Sequence, residues 1–198
     1  MDSKKNLGPK ALATFREGLK ERLAEIGPET AAGYINDADD ETIIEILSLN
    51  HNYLTYISAD RMDDTIARMA LISSKGYDFG RLVDLAEKSS SFQITDSLAD
   101  LAISLHPLNV SRLPNPTGDQ IIKATSLEYK SRSSTHDGVE GVCLILRRLR
   151  LLTLDQACLE ALIRLFYNTP EIMKTILALS NIRQLKALPD DVKLLLEI

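Results

Sequence analysis

The stretch VEGVCLILRRLRLL, residues 139–152, repeats large apolar side chains at spacings of three and four residues. This is the period of an α-helix, and at 100° per residue one set of these positions falls within an arc of about 140°. The set comprises Val139, Val142, Ile145, Leu146, Leu149 and Leu152. An arc this broad is typical of a helix that packs into a core, so we predict a helix here with one buried side.

The same period continues along most of the chain. Its apolar segments are separated by stop signals such as Gly27-Pro28 and Gly76, and Ser58 and Thr153 are predicted as N-caps of the segments that follow them. Aromatic residues make up 5% of the chain and Trp is absent, so the apolar content is mainly aliphatic, which favours packed helices over a β-sandwich. We therefore predict an all-α fold, either a compact multi-helix bundle or a short irregular α-solenoid, of about 9–11 short helices.

One segment interrupts the helical pattern most clearly. It is HPLNVSRLPNPTG, residues 106–118, with three prolines and one glycine, and it is predicted as a crossing loop or a hinge. We expect a single helical domain over 1–198, because half of the chain would bury only a small core. Two subdomains, 1–105 and 119–198, joined by the proline-rich loop, are the alternative.

Charge is spread unevenly along the chain. Residues 1–100 hold 11 Lys and Arg against 18 Asp and Glu, a balance of −7, whereas residues 101–198 hold 12 against 10, a balance of +2. A solvated surface explains this most simply. A charge dipole that orients a partner or a second copy is the functional interpretation.

Cysteine content and hydropathy indicate the compartment. Cys143 and Cys158 are too few for a disulfide framework and are predicted as small core residues in a reducing environment. No apolar run approaches ~18 residues, and the N-terminal stretch has no apolar core of signal-peptide length. We expect no membrane partner and an intracellular, cytoplasmic protein, with a nuclear location left open.

The sequence carries no motif for catalysis, nucleotide binding or metal binding. It has no G-x-S-x-G elbow, phosphate-binding glycine loop or dinucleotide fingerprint, and its three histidines are in no spacing used for zinc. DADDE, residues 37–41, resembles the start of a calcium loop, but Thr42 stands where that loop needs glycine. We expect a protein that is not an enzyme and has no cofactor or metal. A helical enzyme built from scattered residues is the last alternative.

The side of residues 139–152 opposite the apolar arc carries Arg147, Arg148 and Arg150, with Leu144 and Leu151 between them. Pairing of the arginines with Glu or Asp of neighbouring helices is the first interpretation of this side. A protein-binding surface is the second, since Arg and exposed Leu are common in interfaces. For the whole chain we predict a non-enzymatic adaptor, scaffold or self-assembling module that contacts another protein or its own copies through these five residues.

Nucleic-acid binding is the second hypothesis, with the chain as a capsid-like or regulatory helical protein. Lys123, Lys130 and Arg132 would then act as phosphate contacts together with the three arginines. Such a site usually has more positive charge and stacking aromatic residues beside it, which favours the protein-binding hypothesis.

Overall fold

A computed structural model describes residues 9–26, 28–132, 135–149 and 154–196, and within these ranges the protein is all-α with no β-strand. The predicted fold class is confirmed. The α-helices in these ranges are α1 (Pro9–Glu25), α2 (Pro28–Asp37), α3 (Asp40–Leu49), α4 (Asp64–Ser73), α5 (Phe79–Lys88), α6 (Asp96–Leu105), α7 (Gly118–Ser131), α8 (Thr135–Arg148), α9 (Gln156–Phe166), α10 (Pro170–Leu179), α11 (Ile182–Lys186) and α12 (Asp190–Leu195). Three 3₁₀ helices lie between them, His51–Tyr56, Ala59–Arg61 and Pro107–Arg112.

The chain divides into two compact units, residues 1–101 and residues 102–198. The division falls within α6, and the proline-rich segment 106–118 belongs to the second unit. Its 3₁₀ helix packs against α7 and α8, and Val110 of that helix is fully buried. Part of the predicted loop therefore contributes to a core, while the number of domains stays a prediction.

In the first unit, α3 packs against α1 and α4. The core is aliphatic apart from Phe79 and Phe92, and its fully buried side chains include Ile35, Ile43, Ile46, Leu47, Ile66, Leu71, Phe79 and Leu82. Each of these positions lies on the inward side of its helix, as the three-and-four spacing requires. This unit is therefore held together by burial of branched aliphatic side chains, each contributing about 1.5–3 kcal/mol.

A polar network joins α2 to the segment that follows α3. The Asn36 amide donates to the carbonyls of Ala32 and Tyr56, at 2.8 and 2.7 Å, and its oxygen accepts from the Ser58 N–H at 2.8 Å. The Arg61 guanidinium donates to the carbonyls of Asn36 and Ala38 at the end of α2. These bonds satisfy helix-end carbonyls that would otherwise lack partners.

The acidic stretch DADDE has mainly structural roles. The Asp39 carboxylate accepts from the Thr42 N–H at 2.7 Å and caps α3, and Asp40 pairs with Arg61 at 2.8 Å. Glu45, one turn further on, pairs with Arg16 of α1 at 2.7 Å. Part of the negative charge of the first half is therefore neutralised within the fold.

One predicted helix start was wrong, and the predicted cap of another helix falls outside the described residues. Ser58 makes no side-chain cap bond, and α4 begins at Asp64, capped by Asp63, whose carboxylate accepts from the Ile66 N–H at 2.7 Å. Thr153 lies outside the described residues. The N-cap of α9 is Asp155, whose carboxylate accepts from the Cys158 N–H at 2.7 Å. In both places a carboxylate acts as the cap, and it also interacts favourably with the helix dipole.

The second unit is built around α8, which packs against α7, α10 and the 3₁₀ helix Pro107–Arg112. The predicted buried side is confirmed at four of its described positions, since Val142, Ile145 and Leu146 are 0% exposed and Leu149 is 3% exposed, whereas Val139 is half-buried. Leu152 lies outside the described residues. Cys143 and Cys158 are free and buried, as predicted. The orientation of α8 therefore follows from its apolar arc.

Two glycines let α8 approach α7 closely. A Cβ at Gly138 would lie 2.8 Å from the Tyr129 carbonyl oxygen, and a Cβ at Gly141 would lie 2.2 Å from Glu128 Oε1. The Glu128 carboxylate is buried in this contact and accepts from the Arg132 guanidinium at 2.5 and 2.7 Å. Glycine at both positions thus sets the distance between the two helices.

Candidate functional site

Two adjoining clefts lie along α8 and α10 in the second unit. The more polar of the two, the polar cleft, has a volume of about 600 Å³, and its lining comprises His136, Val139, Glu140, Cys143 and Arg147 of α8, residues 168–171 and Tyr129. The apolar cleft has a volume of about 620 Å³ and a surface that is mostly carbon, and it is lined by Arg147, Glu171, Lys174, Thr175, Ala178 and Leu179. Both volumes fall within the range of ligand-binding clefts, ~300–1,000 Å³.

The spacing of these residues explains why they share one surface. On α8, His136, Glu140, Cys143 and Arg147 follow one another at four, three and four residues, which places them on one side of the helix. On α10, residues 171, 174, 175 and 178 follow the same rule. Because α8 and α10 pack against each other through their buried sides, the two stripes lie along the same helix pair.

Arg147 is the residue of the predicted surface that the structure places at the centre of this site. Together with Glu171 it lines both clefts, and its side chain is exposed. Among the described residues, neither Arg147 nor Arg148 makes an ion pair, so the expected pairing with neighbouring carboxylates is not found. A guanidinium without an internal partner keeps its donors available for a ligand.

The other residues of the predicted surface are more dispersed. Leu144 is 38% exposed on α8 and Arg148 is exposed, but neither lines the two clefts. Arg148 lies about 100° around the helix from Arg147, which explains the separation. The predictions for Arg150 and Leu151 fall outside the described residues.

The candidate phosphate contacts on α7 are not part of the clefts. Lys123 is half-buried, Lys130 is exposed, and neither belongs to the lining of either cleft. Arg132 follows α7 and pairs with the buried carboxylate of Glu128. Its guanidinium therefore has a structural role, and phosphate binding at these three residues stays a prediction.

Cys143 lies at the base of the polar cleft and ties α8 to α10. Its side chain is 5% exposed, and its thiol donates to the Glu171 carbonyl at 3.7 Å. The Thr175 hydroxyl lies 3.5 Å from its sulfur and shares its proton with the Glu171 carbonyl at 3.1 Å. These weak bonds hold Glu171 and Thr175, which line the apolar cleft, against α8. Cys143 thus acts as a positioning residue for the wall that the two clefts share.

Cys158 lies outside both clefts and has a different environment. It is 1% exposed, and burial raises the pKa of its thiol to about 12, with smaller contributions from the charges of Asp155 and Asp119. The thiolate is the reactive form, so Cys158 is expected to be inert near neutral pH.

The segment before α10 was not recognised as part of a site from the sequence. Thr169 is the N-cap of α10 but makes no side-chain cap bond, and Pro170 occupies the first helical position. Residues 168–171 complete the lining of the polar cleft. The Thr-Pro-Glu sequence indicated a helix start, but only the fold shows that this start faces α8.

The described ranges contain no cluster of three or more His, Cys, Asp or Glu residues that could hold a metal ion. Over the same residues, no helix has the length and apolar content needed to cross a membrane. Comparisons with models of protein families, with curated proteins and with solved structures gave no match.

Proposed function

We propose that this protein is a non-enzymatic interaction module that binds a segment of another protein in the polar and apolar clefts of α8 and α10. The observation that supports this most is Arg147, an exposed guanidinium without an ion pair among the described residues, at the junction of the two clefts. Arginine beside apolar surface is a frequent anchor in protein interfaces, because its planar head binds carboxylates and its stem covers carbon.

The two clefts offer complementary contacts to a bound chain. The apolar cleft presents Ala178 and Leu179, on which an aliphatic or aromatic side chain can lose its contact with water. The polar cleft presents the side chains of Tyr129, His136 and Asn168, which can bind backbone amides and polar side chains. A site with an apolar part and convergent polar groups suits an extended or helical peptide.

Nucleic-acid binding is the second candidate, since Lys130, Arg147 and Arg148 are exposed and form no ion pair with other described residues. Two carboxylates weigh against it. Glu140 lines the polar cleft and Glu171 lines both clefts. They would repel a phosphate backbone, which carries a negative charge at every nucleotide along the site. A site of mixed charge is better suited to bind a protein segment than a nucleic acid.

Selection of peptides from a displayed random library tests the proposal. Peptides enriched on the folded protein should lose at least about tenfold in affinity, equivalent to about 1.4 kcal/mol, when Ala178→Tyr fills the apolar cleft. Ala157→Tyr is the matched control, because Ala157 is an exposed alanine of α9 outside both clefts and should leave binding unchanged. Failure to enrich any peptide sensitive to Ala178→Tyr refutes the proposal.

A charge-reversed variant, Arg147→Glu, tests nucleic acid as the ligand. Single-stranded RNA and duplex DNA are titrated at low and high salt, since phosphate binding weakens steeply as salt rises. Tight, salt-sensitive binding of RNA or DNA, lost in Arg147→Glu, would replace the protein-binding proposal with the second candidate.

A further inference from the structure

The charges around the apolar cleft indicate what kind of segment it selects. Arg147 of α8 and Lys174 of α10 both line it, and both side chains are exposed. Neither makes an ion pair with another residue in the described part of the chain. Glu171 is the single carboxylate among the described residues of this lining, which together carry a balance of +1.

We infer, on the basis of the proposed function, that the occupant is an acidic segment of another protein, in which an Asp or Glu lies beside a large apolar residue. The apolar side chain enters the cleft over Ala178 and Leu179, and the carboxylate pairs with Arg147 or Lys174 at its rim. Arginine binds a carboxylate through two parallel N–H donors, whereas lysine acts as a point charge. Arg147 is therefore the stronger determinant of the acidic preference.

The position of Glu171 also bears on the preference for an acidic segment. It lines both clefts together with Arg147, and a basic side chain of a partner could pair with it. Within the apolar cleft, however, such a side chain would meet two cations for one carboxylate. Like charges within one cleft repel each other, so basic residues next to the apolar anchor are selected against.

A charge reversal of the cleft tests the inference. The random library is selected in parallel on the wild-type protein, on Arg147→Glu/Lys174→Glu and on Arg183→Glu/Lys186→Glu. The last variant removes two exposed cations of α11 outside both clefts and changes the net charge equally. We expect the peptides enriched on the wild type and on the α11 variant to carry Asp or Glu beside an apolar residue. The peptides enriched on the cleft variant should carry Lys or Arg at that position.

One selected acidic peptide is then measured quantitatively. Arg147→Ala should raise its Kd about tenfold, equivalent to about 1.4 kcal/mol of binding free energy. Added salt should weaken binding to the wild-type protein, because the pairing carboxylate is near the surface. Replacement of the peptide's acidic residue by its amide should produce a similar loss. That loss should not add to the loss caused by Arg147→Ala if the two groups pair.

The outcomes separate this inference from the proposed function. Peptides that lose affinity in Ala178→Tyr but carry no acidic preference, or that bind the charge-reversed cleft equally well, overturn the inference alone. Absence of any such peptide overturns both. Sedimentation that shows a dimer dissociated by Ala178→Tyr identifies a second copy as the occupant and also overturns the inference.

Discussion

Replacement of Gly141 by alanine should destabilise the protein, although alanine has a higher helix propensity than glycine. In an open helix, Gly→Ala stabilises by about 1 kcal/mol, because alanine has the higher helix propensity. In α8 the added Cβ would lie 2.2 Å from Oε1, 2.7 Å from Cγ and 2.8 Å from Cδ of Glu128. Real Cβ atoms do not approach so closely, so the buried carboxylate must move.

Movement of the Glu128 carboxylate disturbs its bonds to Arg132. Hydrogen bonds to charged groups contribute about 1.5–3 kcal/mol, and overpacking of a core costs about 1–3 kcal/mol. Subtracting the propensity gain leaves a net loss of about 1.5–5 kcal/mol in the free energy of unfolding for Gly141→Ala. Urea denaturation followed by far-UV circular dichroism measures this difference.

Gly33→Ala is the matched control, because no atom lies within 4 Å of a Cβ added there on α2. It should stabilise by up to about 1 kcal/mol. In a Glu128→Ala background, Gly141→Ala should become neutral or stabilising, since the methyl occupies the space that the carboxylate left. If Gly141→Ala stabilises the wild-type protein as Gly33→Ala does, the close approach of α7 and α8 is refuted.

Three further predictions concern other parts of the chain. Asn36→Ala removes three hydrogen bonds and should lower the free energy of unfolding by about 2–3 kcal/mol in urea titrations, and a loss below about 0.5 kcal/mol would contradict the network. Thr117→Ala removes one side of the capping box with Gln120 and should cost about 1 kcal/mol, whereas Thr65→Ala, an exposed position inside α4, should cost little. Because the pKa of Cys158 is raised to about 12 from 9.0, folded protein keeps this thiol protonated while unfolded protein loses the proton, so stability should fall as pH rises from about 9 to 12. Cys158→Ala should remove that part of the pH dependence, and mass spectrometry should find Cys158 unalkylated in folded protein at pH 8; rapid alkylation there would show that the site is open.

The sequence predicted the all-α class and the orientation of α8 because burial of aliphatic side chains at helical period dominates both. Val142, Ile145 and Leu146 could reach a core together only on one side of a helix. Helix starts were less predictable. Ser58 and Asp63, or Thr153 and Asp155, are all acceptable caps, and the position at which the chain turns into the helix depends on packing.

Part of the candidate site was predictable and part was not. Exposure of Leu144 and Arg147 follows from the helical wheel, since both lie opposite the apolar arc. The pair of Glu128 and Arg132 could also have been predicted, because they are four residues apart on one side of a helix. The polar and apolar clefts depend on contacts between α8 and α10, whose residues are more than twenty positions apart, and no local pattern reports such a contact.

The most direct test of the proposed function is the position of a bound peptide on the protein. Backbone amide signals are recorded by nuclear magnetic resonance while a library-selected peptide is added to the wild-type chain. We expect the largest shifts in α8 from His136 to Arg147 and in residues 168–179, with small shifts in the first unit. Shifts concentrated on α1–α5 or on α12, with α8 and α10 unchanged, would contradict the assignment of the clefts as the binding site.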